Sequence, residues 1–341
     1  MNQHAGLGLA LVLFGGMLNG SFALPMKRML AWKWENTWLV YSLMGMVIGP
    51  WAFAMITVPH LGQVYHQASW HSLILVLAFG LGSGTGSMLF GLGIARMGLA
   101  LGFAIILGTT AALGSLLPLA ILHPDALLQR QGYVLMAGTL LVIFGIGLYA
   151  FAGLLREPET TPAAQDAPRS GFGVGLVICL SSGVLSALLN FSFLYGKELQ
   201  DLTLSYGAKP GASANPIWAL ALTSGFIANG GYAVYLLARN HSWHVFSAPM
   251  ASFGYWLGGA FMGILWFGSI AFYGMGAAAL GGLGAIIGWP VFMATIIITA
   301  NFWGAITGEW AKASCRSSCY AWAGMGVLLV AIYVISLASR S

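Results

Sequence analysis

The chain has 341 residues, of which 59% are hydrophobic and 6% charged, with a mean hydropathy of +0.85. Soluble domains carry about a quarter charged residues, so this composition excludes a water-soluble enzyme or binding module and indicates a polytopic membrane protein. The net charge of +5 rests on only 13 Lys and Arg, scattered between apolar runs, which is the pattern of membrane loops and not of a nucleic-acid surface.

Apolar runs of about 20 residues cross a bilayer as helices, and ten are expected, near 5–24, 37–58, 72–94, 98–121, 133–155, 172–195, 216–238, 253–273, 283–307 and 320–338. The N-terminal run lacks the positive flank and cleavage site of a signal peptide and is expected to remain as the first helix. After it comes a loop with Lys27, Arg28, Lys33 and Glu35, four ionic residues within nine positions. The second run contains Gly49-Pro50, where a break is expected. In the third, Gly80-Leu81-Gly82-Ser83-Gly84-Thr85-Gly86 follows no strand and opens no βαβ unit, so it reads as helix packing and not as a nucleotide loop.

The polar, proline-containing stretch 156–170 is the linker between two halves, 1–155 and 171–341. Five helices in each half would set a repeat upside down. Gly6, Gly8, Leu9, Leu13, Gly16 and Leu18 are matched by Gly173, Gly175, Leu176, Leu180, Gly183 and Leu185. Trp38 and Gly45 are matched by Trp218 and Gly225, and Phe90-Gly91 by Phe267-Gly268. The fold class expected is therefore all-α, with about ten transmembrane helices in two inverted five-helix repeats, a transporter design. Lys27, Arg28, Lys33, Arg96, Arg156, Arg169, Arg239, Lys312 and Arg316 fall after odd-numbered helices, against Arg130, Lys197, Lys209 and Arg340 on the other side. That bias places both termini outside the cytoplasm.

An ionisable group at mid-bilayer costs roughly 2.5–3.5 kcal/mol on insertion scales, and none falls in the middle of an expected helix. The acids and histidines sit at helix ends or in loops, without metal-ligand or paired-carboxylate spacing, and Cys179, Cys315 and Cys319 form no disulfide framework. No enzyme, metal site or cofactor is expected. Polar residues inside apolar helices are the better signal. Asn19, Asn190, Asn229 and Asn301 offer amide donors and acceptors suited to a polyhydroxylated ligand, with Trp51, Tyr195, Trp218, Tyr232 and Trp289 as candidates to pack on its C–H face, Trp51 and Trp289 foremost because each stands beside a proline. For each Asn the plainer reading is a helix–helix hydrogen bond. Lys27, expected to close the first helix, and Lys197, expected to close the sixth, join Lys33, Glu35, Glu309 and Lys312 at helix ends as the candidate coupling and gating set.

The run Phe22-Ala23-Leu24-Pro25-Met26-Lys27, followed by Trp32-Lys33-Trp34-Glu35-Asn36-Thr37-Trp38, resembles the L-rhamnose–proton symporter family of the drug/metabolite transporter superfamily. Gly102 to Gly108, Asn229-Gly230 and Gly308-Glu309-Trp310 continue the likeness in order, and the connection from Gly274 to Gly284 departs from it in lacking polar residues. The resemblance implies uptake of L-rhamnose, or a related sugar such as L-lyxose or L-mannose, driven by protons across a bacterial inner membrane. Its partners are then a small sugar, a proton and the lipid bilayer, with no nucleic acid. A metabolite exporter of the same superfamily and a membrane subunit without transport are the alternatives.

Overall fold

Lipid offers no hydrogen bonds to a bare backbone, so apolar runs of this length close their amides within helices. The computed structural model describes residues 3–97, 99–156, 172–247, 253–308 and 313–338. Among these are ten helices long and apolar enough to cross a membrane. They are α1 (Gln3–Ser21), α2 (Trp34–Thr57), α3 (Trp70–Met97), α4 (Leu99–Leu122) and α5 (Arg130–Arg156) in the first half. In the second are α6 (Phe172–Tyr195), α7 (Asn215–Arg239), α8 (Phe253–Ala279), α9 (Gly284–Ile306) and α10 (Cys315–Ala338). The all-helical polytopic architecture is as the sequence predicts. Most of the linker 156–170 lies outside the described residues.

Three local expectations are corrected. The second helix does not break at Gly49-Pro50. A π-helical turn over Met44–Ile48 precedes the proline, and the helix continues to Thr57. In the wider turn the Gly49 amide reaches back five residues to the Met44 carbonyl, just ahead of the proline. Lys27 does not close α1, which ends at Ser21; it lies on a 3-10 turn, Leu24–Arg28, entered through Pro25. Lys197 likewise begins a separate short helix, Lys197–Ser205, after α6 stops at Tyr195 and Gly196.

Helices α1, α8, α2, α7, α3, α6, α4 and α9 are neighbours in that order, and α9 returns to α1, forming a closed ring. Helices α5 and α10 pack on each other outside the ring, against α4 and α9. Adding five to each number turns one set of contacts into the other. The pair α1–α8 becomes α6–α3, α1–α9 becomes α6–α4, and α2–α8 becomes α7–α3, while α2–α7, α4–α9 and α5–α10 map onto themselves.

Several close crossings obey the same mapping. A Cβ on Gly45 of α2 would stand 3.0 Å from the Gly263 carbonyl oxygen of α8, and its match, Gly225 of α7, meets Gly80 and Gly84 of α3. The glycine run on α3 thus admits one backbone against another, as small residues four apart do in lipid. A Cβ on Gly16 would stand 2.6 Å from Thr295 Cβ, and one on Gly183 2.6 Å from Thr109 Cβ. Even the helix exits agree, since His60 after α2 and His241 after α7 adopt left-handed backbone, φ 55° and 50°.

Candidate functional site

The predicted amides are not gathered round one cavity in this conformation. Asn19 of α1 donates to Ser269 Oγ of α8 at 2.8 Å. Asn190 of α6 is fully buried; its Nδ2 donates to the Gly114 carbonyl of α4 at 2.7 Å and to the Ala285 carbonyl of α9 at 3.3 Å. Gly114 lies four residues before Pro118, whose missing N–H frees that carbonyl, and Asn190 takes its place. The Asn190 carbonyl oxygen accepts the Tyr273 hydroxyl of α8. Asn229 of α7 accepts from Trp38 Nε1 of α2 at 3.0 Å and donates to Met46 Sδ at 3.3 Å. Asn301 of α9 lines a different space, a cavity of about 40 Å³ bounded by Tyr149, Ala305, Ser318, Ala321, Trp322 and Met325. Its Nδ2 has no partner among the described residues.

The two tryptophans beside prolines also bond across helices. Trp51 donates to Thr223 Oγ1 of α7 at 2.8 Å, and Trp289 to the Thr110 carbonyl of α4 at 2.9 Å. The sequence does not single out Tyr273, Thr110 or Thr223. They become partners only when separate helices meet, and no spacing along the chain announces them.

At the end bearing Lys27, charged groups tie ring helices together. Lys27 Nζ donates to Thr307 Oγ1 after α9 at 2.8 Å, and Trp303 Nε1 to Ser21 Oγ at 2.7 Å. Glu35, 5% exposed in the first turn of α2, accepts from Asn240 Nδ2 at 3.0 Å and Ser242 Oγ at 2.7 Å, both just past α7. Asn36 Nδ2 adds a bond to the Ser242 carbonyl at 3.0 Å. Lys33 is exposed. Glu309 and Lys312 lie outside the described residues.

At the opposite end the same two helices are fastened with neutral groups. Asn215 in the first turn of α7 donates to Thr57 Oγ1 at the end of α2 at 2.8 Å. Tyr65 donates to the Pro216 carbonyl at 3.0 Å. Lys197 forms an exposed pair with Asp201 at 3.2 Å, one helical turn away, a contact of the kind worth about 0–1 kcal/mol. Its neighbour Glu198 instead caps α3, accepting from the Ser69 amide at 2.8 Å and the Ser69 hydroxyl at 2.5 Å.

Aromatic side chains divide between the two ends. Phe22, Trp34, Trp38, Tyr41 and Trp266 cluster toward the Lys27 end, with Phe22, Trp34 and Trp38 part-exposed. Trp218, Tyr273, Trp289 and Phe292 are no more than 2% exposed and form, with Phe193, a sealed cluster toward the Lys197 end. One end of the ring is therefore plugged by rings, and the other is held by hydrogen bonds around half-exposed rings.

The model of the L-rhamnose-proton symport protein family matches residues 1–341. The chain belongs to that family. A curated relative from Klebsiella pneumoniae subsp. pneumoniae, named L-rhamnose-proton symporter, is 26% identical over 100% of both chains. Relatives of the same name from Escherichia coli strain 55989 and Shigella boydii serotype 18 are each 25% identical over 99% of both chains. The match thus runs through both ends of the ring and through every residue described above.

Proposed function

We propose that this protein is a secondary transporter that takes up L-rhamnose, or a closely related sugar, together with protons across a bacterial inner membrane. The observation that carries the reading is the full-length family match to a chain whose helices form a ring with paired contacts. The two five-helix halves, 1–155 and 171–341 with the linker between them, are read as inverted repeats that exchange conformations to alternate access. The matched crossings at Gly45–Gly263 and Gly225–Gly84 support that reading. The Lys and Arg bias supports a cytoplasmic Lys27 end with both termini external.

On this reading the sugar path runs inside the ring. Asn19, Asn190 and Asn229, with Trp51 and Trp289, line the helix contacts that must part to admit a sugar, and each exchanges a helix–helix bond for a bond to a hydroxyl. Asn301 lies off that path, in the cavity shared with Tyr149 of α5 and Ser318 and Trp322 of α10. Coupling falls to Glu35. In the register pairing Trp38 with Trp218, Glu35 corresponds to Asn215. Both fasten α2 to α7, but only the cytoplasmic fastening can be protonated. Loss of charge on Glu35 weakens its hold on Asn240 and Ser242, because charge-assisted bonds are about twice as strong as neutral ones. Lys27, Lys33, Lys197, Glu309 and Lys312 complete the gating set as local charges at the two ends.

The test is uptake of labelled L-rhamnose into vesicles of purified protein, with an imposed pH gradient and without one. Accumulation above equilibrium only with the inside alkaline supports the reading. Accumulation indifferent to the gradient, or driven outward by protons entering, assigns an exporter or a facilitator instead. For coupling, Glu35→Gln is expected to keep sugar exchange and lose uphill accumulation.

A further inference from the structure

Trp218, in the first turns of α7, is 0% exposed, and its indole Nε1 has no hydrogen-bond partner among the described residues. A buried N–H without an acceptor forfeits the bonds it made with water, and such groups are uncommon. Its counterpart in the other half, Trp38, occupies the same register position on α2 and donates to Asn229 Oδ1. The register that pairs the two tryptophans sets Gly49 opposite Asn229, and a glycine supplies no side-chain acceptor. One tryptophan of the pair is therefore satisfied by the protein and the other is not.

The surroundings of the unsatisfied donor have the chemistry of a sugar contact. The Trp218 ring stacks on Phe193 of α6 at 5.7 Å and leans on Tyr273 of α8 at 6.5 Å. Tyr273 carries the hydroxyl bonded to Asn190. Gly274 faces the indole nitrogen, where a Cβ would stand 2.6 Å from Nε1, so no side chain lies between the donor and the α8 backbone. Flat rings with a negative face receive the C–H edge of a deoxy sugar, and a lone directed donor fixes its orientation.

We propose that Trp218 is a substrate-recognition residue whose indole N–H donates to a hydroxyl of the transported sugar once α7 parts from α6 and α8. This rests on the sugar-transport reading and adds to it a specific contact. In the sealed conformation described here the donor is idle. In the sugar-bound conformation it is filled, so the bond favours the open, loaded state over the closed, empty one.

The experiment replaces Trp218 with β-(3-benzothienyl)alanine, which keeps the ring volume and exchanges the N–H for sulfur, beside Trp218→Phe. Trp243→Phe, at a 49% exposed tryptophan outside the ring, is the control. L-Rhamnose binding is measured on full-length protein by the sugar-dependent rise in melting temperature and by half-saturation of uptake. The isosteric variant is expected to melt no lower than the parent without sugar and to bind L-rhamnose roughly fivefold more weakly, the worth of one hydrogen bond. One monodeoxy analogue, lacking the accepting oxygen, is expected to bind parent and variant alike. Equal L-rhamnose affinity in parent and variant overturns the assignment while leaving transport intact. A variant that fails to fold also overturns it, because an N–H without a partner cannot be what the fold needs. If the parent itself binds no L-rhamnose, the transport reading fails first and this contact fails with it.

Discussion

Single amides carry unequal burdens in this molecule. Asn190 supplies two donated bonds and one accepted bond, joining α6 to α4, α8 and α9. Asn229 joins α7 only to α2. Each stranded buried partner costs about 1–3 kcal/mol. Asn190→Leu is therefore expected to lower the melting temperature more than Asn229→Leu does. The second substitution should leave a folded, inserted protein with weakened sugar uptake. The reverse order of melting temperatures would refute this ranking. At this scale the sequence shows which side chains are costly to bury, and all four asparagines, Trp51 and Trp289 stand out on that ground. It does not show their partners. The Pro118 signal is legible in part, since a proline within a helix frees a known carbonyl, but nothing along the chain says that Asn190 answers it.

Among the elements, packing at glycine separates two kinds of position that look alike in sequence. Gly84 of α3 faces the Gly225 backbone, whereas Gly231 of α7 is exposed and, among the described residues, has nothing within 4 Å of a would-be Cβ. Gly84→Ala is expected to force α3 from α7 and to cut the yield of folded protein. Gly231→Ala should raise stability by about 0.5–1 kcal/mol, by removing the entropy a helical glycine loses on folding. Thermal unfolding of the two purified variants checks both signs. The ten spans were readable because lipid imposes a length on every crossing helix. The π turn before Pro50 and the short helices Leu61–Gln67 and Lys197–Ser205 were not. They are too short for a periodic pattern to declare itself, and the π turn changes register without changing composition.

For the whole molecule, the fastenings between α2 and α7 make a direct test of rocking. Thr57 and Asn215 meet through side chains 2.8 Å apart. With Cys179, Cys315 and Cys319 replaced by serine, Thr57→Cys with Asn215→Cys is expected to lose uptake on oxidation and regain it with dithiothreitol. Retained uptake in the oxidised form would mean that this end does not open. The order of the ring was beyond the sequence, since which helices adjoin is decided by three-dimensional closure. The matched glycines Gly45 and Gly225 are visible in it, and each sits where two helix backbones meet.

The paired contacts have a thermodynamic consequence. When a rearrangement exchanges each contact for its partner under the repeat, much of the inventory of bonds and buried surface is kept, and the unlike pairs Glu35 with Asn215 and Trp38 with Trp218 are the differences that remain. The free energies of the two end states then lie close together, and the resting equilibrium favours neither side strongly. Such a protein has no built-in direction; microscopic reversibility hands the direction of net flow to the gradients. Vesicles preloaded with sugar and given an inside-acid gradient are expected to empty against a sugar gradient at a rate comparable with uptake. The import of sugar is then a property of the cell's proton supply, which this chain transmits in either sense.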